Sequence, residues 1–181
     1  MDKACADGII AHEVRVARLA REAARETGKD HHAAFLAGLF HDTGKFKLPD
    51  ELFSDREITK EEYELIKGHA IGGYLELKKR MLFTGLCSGM HHRMISGGGY
   101  GIDVRDIPRE FSFPTIKKLF DISILVAIAD YIDASMTRHR PKRLSEGTLE
   151  ERLVKEYPDE RMLVTIMLDI AYKGDLYKDS M

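Results

Sequence analysis

The chain has 181 residues, 44% hydrophobic and 32% charged, the proportions of one soluble globular domain rather than a disordered segment. Its 28 Lys plus Arg against 30 Asp plus Glu leave a formal charge of −2, which argues against a general nucleic-acid or membrane-surface binder, because phosphate affinity needs a cationic excess. The longest largely apolar run, Ile122 to Ala129 between two aspartates, is too short to span a bilayer. No charged-then-apolar leader follows Met1, and Cys5 and Cys87 form no framework, so the expectation is a cytoplasmic protein with reduced thiols.

Helical periodicity dominates from end to end. A first helix is expected from about Gly8 to Glu26, stopped by Thr27-Gly28. A second, His31 to Phe40, is apolar nearly all round and is expected to be buried on every side. Lys45 to Ile58, with Pro49 and alternating charges, reads as a connecting loop. The capping box Thr59-Lys-Glu-Glu62 opens a third helix to about Ala70, with Gly72-Gly73 as an interruption before helical pattern resumes through Met81 and again through His92. A glycine-rich stretch from Ser96 continues irregularly to about Pro114, long enough to suggest function. Thr115 to Met136 is the central helix, and a second capping box, Thr148-Leu-Glu-Glu151, starts a penultimate helix that Pro158-Asp159 separates from the last. The predicted fold is all-α, a single domain over residues 1–181 with about seven or eight helices.

Polar residues interrupt the apolar faces of these helices at a few places. His12 shares a face with Val16, Leu19 and Ala23, and His69 lies with Ile66, Ala70 and Gly73. His41 follows Ala34, Ala37 and Gly38, small residues that let another backbone approach. Asp130 sits in ISILVAIADYIDA with no Lys or Arg one turn away on its own helix, and a carboxylate buried there costs several kcal/mol unless it is paired or holds a cation. His41-Asp42 and His91-His92 each fall at a helix end, where neighbouring side chains can reach one centre. Taken singly, His12 or His69 could be an ordinary core histidine and Asp130 a helix cap. Together, five imidazoles and two carboxylates are too many ligands for one tetrahedral ion and suit a pair of transition metals, iron, manganese, nickel, cobalt or zinc, better than magnesium alone. His31 and His32 read as solvated, and His139, in an Arg-rich stretch, as exposed or at the edge of the substrate site.

The pattern resembles the HD-GYP family, a branch of the HD phosphohydrolases, from about His12 to Leu149. The similarity is carried by His41-Asp42-Thr43-Gly44-Lys45 with Leu48-Pro49-Asp50, by His69, by His91-His92 before Gly97-Gly98-Gly99-Tyr100-Gly101, and by Ala129-Asp130 with Asp133-Ala134 and Arg140-Pro141. The resemblance implies an HD-domain helical bundle around a central metal site and hydrolysis of a cyclic dinucleotide, cyclic di-GMP first, to pGpG or GMP by a water shared between two metals. It assigns His12, His41, Asp42 and Asp130 to one metal and Asp42, His69, His91 and His92 to the other, iron or manganese foremost. Asp42 bridges. A third-metal Glu would fall where this chain has Gly8. Lys45 is expected to neutralise the scissile phosphate, making Asp42 and Lys45 the catalytic pair. Tyr100, Asp133, Arg140 and Arg143 are expected on the substrate side.

The family's HHExxDGxGYP reads HHRMISGGGYG here, with Arg93 for Glu, Ser96 for Asp and Gly101 for Pro. Two rival readings follow, a hydrolase for another nucleotide and a silent cyclic-dinucleotide-binding module. With no sensor domain in the sequence, the expectation is either a piece of a longer protein or input from a separate signalling protein, and a homodimer is left open.

Overall fold

The computed structural model describes residues 2–53, 56–137 and 147–174. Among them lie seven α-helices and no strand: α1 (Lys3–Glu26), α2 (His31–Phe40), α3 (Lys60–Leu77), α4 (Leu82–Met90), α5 (Phe113–Thr137), α6 (Leu149–Glu156) and α7 (Arg161–Lys173). Short 3-10 turns at Thr43–Lys47, Asp50–Phe53 and His91–Met94 occupy ground expected to be loop or helix end.

Helix starts follow their caps. α1 begins at Lys3 rather than Gly8 because the Asp2 carboxylate accepts the Cys5 N–H at 2.8 Å. Asp30 does the same for Ala33 at the head of α2. Both anticipated capping boxes, Thr59 with Glu62 and Thr148 with Glu151, are formed reciprocally. α1 ends where Gly28 adopts φ +65°, a turn that a side chain would strain.

The core is built around α5, which packs against α1, α2, α4, α6 and α7. Its Leu119, Ile122, Leu125, Ile128 and Ile132 are fully enclosed with Val16 and Leu19 of α1, Leu86 and Met90 of α4, Leu153 of α6 and Met167 of α7. Each such aliphatic side chain contributes about 1.5–3 kcal/mol on burial. Asp130 therefore projects from a helix that five others pack against. Cys5 and Cys87 are both free thiols.

Two expectations fail for the same reason, close backbone packing. α2 is not buried all round: only Ala34, Ala37 and Gly38 are enclosed, and Leu36 is 39% exposed. The small residues form the inner face because α1 lies so near that a Cβ on Gly38 would come within 2.7 Å of the Ala17 Cα. Nor do Gly72-Gly73 interrupt α3, which runs unbroken to Leu77. A Cβ on Gly73 would meet the Ser88 Oγ of α4 at 2.6 Å, so this glycine admits a neighbour rather than ending a helix.

Gly44 is the tightest of these contacts. A Cβ there would stand 1.9 Å from the His69 carbonyl oxygen and 2.7 Å from the Gly73 nitrogen. The turn after α2 thus lies directly on the backbone of α3, with Ser88 Oγ donating to the His41 carbonyl at 2.8 Å from the α4 side. Gly44→Ala should cost about 3 kcal/mol by overpacking against backbone that cannot yield, roughly 10 °C in Tm. Gly8→Ala, in an exposed helical position where a Cβ meets nothing within 4 Å, should gain about 0.5–1 kcal/mol. Thermal melts of the two variants check both signs.

Candidate metal centre

Five elements bring the seven proposed ligands to one place. His12 comes from the middle of α1, His41 and Asp42 from the end of α2, His69 from α3, His91 and His92 from the end of α4, and Asp130 from α5. The ring centroids form a chain, His12–His41 at 5.1 Å, His41–His91 at 5.1 Å, His91–His69 at 5.6 Å and His69–His92 at 5.1 Å. Asp42 spans the two ends, with Oδ2 3.4 Å from both His12 Nε2 and His41 Nε2 and Oδ1 3.1 Å from His69 Nε2. Asp130 Oδ1 lies 3.1 Å from His12 Nε2 and 3.8 Å from His41 Nε2.

The local fold aims these rings. His41, His69 and His91 each direct Nδ1 at the carbonyl three residues earlier, Gly38, Ile66 and Ser88, at 2.8, 2.6 and 2.6 Å. With Nδ1–H donated to backbone, Nε2 is the lone-pair nitrogen and faces inward. His12 is set differently: its Nδ1 meets Asp133 Oδ2 at 2.7 Å. The Nε2 atoms of His12, His41, His69 and His91, and Asp42 Oδ1, are buried and lack any hydrogen bond of acceptable geometry. Buried polar atoms are rarely left so. Three overlapping triads, His12/His41/Asp42, His41/His91/Asp130 and His69/His91/His92, present ligand atoms all within 4.8 Å of one another. This donor set, imidazole nitrogen with carboxylate oxygen, fits divalent transition ions.

The electrostatics without a cation show what holds the cluster apart. Burial pushes His12 down, but the carboxylates of Asp130, Asp133 and Asp42 outweigh it and raise it to about 11. His41 is likewise raised, burial being overcome by Asp42 and Asp130. His91 and His92 have no carboxylate so near; burial and neighbouring imidazoles hold His91 well below the usual range and lower His92 to about 3. Asp42 and Asp130 stay well below ordinary carboxylates because His41, Lys45 and His12 outweigh the cost of burial.

Among the residues expected on the substrate side, Lys45 Nζ pairs directly with Asp42 Oδ2. Tyr100 stacks on His92, centroids 4.4 Å apart at 29°. Asp133 lies behind the His12 ring. It is fully enclosed, and its oxygens are taken by His12 and by Arg15, whose Nε donates at 2.7 Å. Arg140 and Arg143 lie outside the described residues. Arg15 and Glu13, which no motif marks, also belong to the centre. Glu13 is 5% exposed with an unpartnered Oε1, and burial pushes its carboxyl up to about 7, helped by Asp42 and opposed by His41, His12 and Lys45. Its spacing to Val16, Ala17 and Ala20 carried the signal for an inward position.

A model of the HD domain family matches residues 9–135, and the chain belongs to that family. It is 32% identical over 138 residues to 3'3'-cGAMP-specific phosphodiesterase 1 of Vibrio cholerae, covering 73% of this chain and 30% of that protein. A probable cyclic di-GMP phosphodiesterase of the same organism is 29% identical over 103 residues, 50% of this chain and 23% of that protein. These matches agree with the HD-GYP resemblance. The chain spans less than a third of the length of either relative.

Because neighbouring carboxylates raise His12 to about 11 and push His41 upward as well, and ligation needs both neutral, metal uptake at pH 7 should release about one proton from His12 and a further fraction from His41. Calorimetry in buffers of different ionisation enthalpy measures the number. A histidine whose folded pKa is raised stabilises below its unfolded value and loses that contribution as pH climbs. The cation-free protein should therefore lose thermal stability from pH 7 to 9, a window in which lowered His91 and His92 are neutral in both states and add no slope. The Mn-loaded protein should not show this loss.

Proposed function

We propose that this domain is a metal-dependent phosphodiesterase that hydrolyses a cyclic dinucleotide, cyclic di-GMP first, to pGpG or GMP. The observation that carries the reading is the convergence of four buried imidazole Nε2 atoms and Asp42 Oδ1, none with a hydrogen-bond partner. His12, His41, Asp42 and Asp130 would hold one divalent ion and Asp42, His69, His91 and His92 the other, with iron or manganese as the preferred pair. When bound, such a pair supplies Lewis acidity to phosphoryl oxygens and lowers the pKa of water to about 7.

The chain's own residues complete the site. His41 and His91 are wholly enclosed, whereas Asp130, His92 and Tyr100 remain partly exposed, so a phosphodiester approaches from that side. Lys45, 11% exposed at its side chain, is within reach of charge gathering on the phosphate. Asp133 and Arg15 lock the His12 ring so that its Nε2 stays aimed at the centre. Tyr100 offers an aromatic face to a purine, and Arg140 and Arg143 are proposed phosphate contacts. The relatives, named for 3'3'-cGAMP and cyclic di-GMP, support this substrate class. Regulation is proposed to come from a separate signalling protein or from further domains of a longer chain.

Metal-loaded protein should convert cyclic di-GMP or 3'3'-cGAMP to linear products resolved by chromatography, with slower or no action on nucleoside monophosphates. Turnover of monophosphates alone makes the protein a different HD hydrolase. Binding without turnover across Mn, Fe, Ni and Co makes it a sensor. Asp42→Ala should lose metal and turnover together. Lys45→Ala should keep its metal, by elemental analysis, and lose about 10²–10³-fold in kcat, the effect of removing one preorganised charge partner.

A further inference from the structure

The glycine-rich loop departs from the family pattern at Arg93, Ser96 and Gly101, yet it is held at several points. Arg93 Nη1 donates to the Gly99 carbonyl at 2.9 Å, and Nη2 donates to Asp103 at 3.3 Å. Asp103 is itself fixed, capping the turn Val104–Asp106 by accepting from the Arg105 N–H at 3.1 Å. The loop backbone then presses onto the end of α4. A Cβ on Gly99 would lie 1.6 Å from the His92 carbonyl oxygen, and one on Gly101, at φ +113°, 2.1 Å from the Gly89 oxygen. Ile102 N–H donates to that same Gly89 oxygen at 2.9 Å. Between these two contacts Tyr100 has one place to go, over His92, with His69 edge-on at 6.1 Å.

We propose that Arg93 is a positioning residue that clamps Gly99 and Asp103 and thereby seats Tyr100 on His92, setting affinity for a nucleobase at the open side of the centre. Arg93 sits next to His92 in sequence, but its guanidinium reaches away from the imidazoles, to the Gly99 carbonyl and to Asp103, so it acts through Tyr100 and not on the reacting phosphate. The geometry explains why three consecutive glycines do not leave this loop without a fixed path: the guanidinium bridges its two ends. The inference rests on the cyclic-dinucleotide reading for its kinetic arm alone.

The test compares metal-loaded wild type with Arg93→Ala, Arg93→Lys, Tyr100→Ala and the Arg93→Ala/Tyr100→Ala double variant. Base stacking on an aromatic side chain predicts a rise of about tenfold in KM for cyclic di-GMP in Arg93→Ala, with kcat changed by less than about threefold. Metal content by elemental analysis should stay that of wild type. Arg93→Lys, able to reach one acceptor but not both, should recover part of the loss, and the double variant should be no worse than Tyr100→Ala. Independently of activity, in protein loaded with diamagnetic zinc, the ring-current shift on the His92 carbon-bound protons should collapse in both Arg93→Ala and Tyr100→Ala.

An unchanged ring shift in Arg93→Ala, additive losses in the double variant, or loss of metal together with kcat overturns the proposal. Wild type inert toward every cyclic dinucleotide overturns the substrate reading instead, and the ring shift then decides whether Arg93 seats Tyr100.

Discussion

Burying ligating groups with their inward atoms unsatisfied is the constraint around which this protein is arranged. The Nε2 atoms of His12, His41, His69 and His91 and Asp42 Oδ1 are all enclosed without hydrogen-bond partners, a state that costs free energy at each atom. Nearby carboxylates push His12 and His41 upward and so favour a proton there, whereas burial and neighbouring imidazoles lower His91 and His92 and disfavour one. Divalent cations would satisfy both halves at once.

Holding seven side chains at that spacing needs backbones closer than side chains ordinarily permit. Gly38 lets α2 rest on α1, Gly44 lets the turn after α2 rest on α3, and Gly73 makes room for Ser88 of α4. The same Ser88 donates its hydroxyl to the His41 carbonyl and its own carbonyl accepts from His91. A single residue of α4 thus ties two ligand-bearing segments together. Around the periphery, Asp133 and Arg15 set His12, and Arg93 sets the loop bearing Tyr100. Each ligand ring is fixed by its second nitrogen or by its neighbours, leaving the inner nitrogen free to coordinate.

Access follows from the same packing. The ends of α2 and α4 close off His41 and His91, while α5 presents Asp130 at the rim beside His92 and Tyr100. On the proposed reading, a phosphodiester reaching the centre would meet one carboxylate, one imidazole and one phenol before the enclosed groups, separating recognition at the rim from charge stabilisation within.

The amino-acid order alone determined the all-helical fold and two helix starts, the capping boxes at Thr59 and Thr148 writing their own signals, and it singled out His12, His69 and Asp130, which interrupt apolar faces, as proposed ligands. Local pattern could not tell a glycine that ends a helix from one that admits a neighbour, so α3 was read as broken at Gly72-Gly73 and α2 as enclosed on every side. Nor could it distinguish Asp133 from Asp130, both in the same apolar run. Only the approach of α1 decides that Asp130 faces the centre while Asp133 takes the back of His12 and the guanidinium of Arg15. Residues three apart on one helix share a face in sequence, and which partner each meets is settled by a helix more than a hundred positions away.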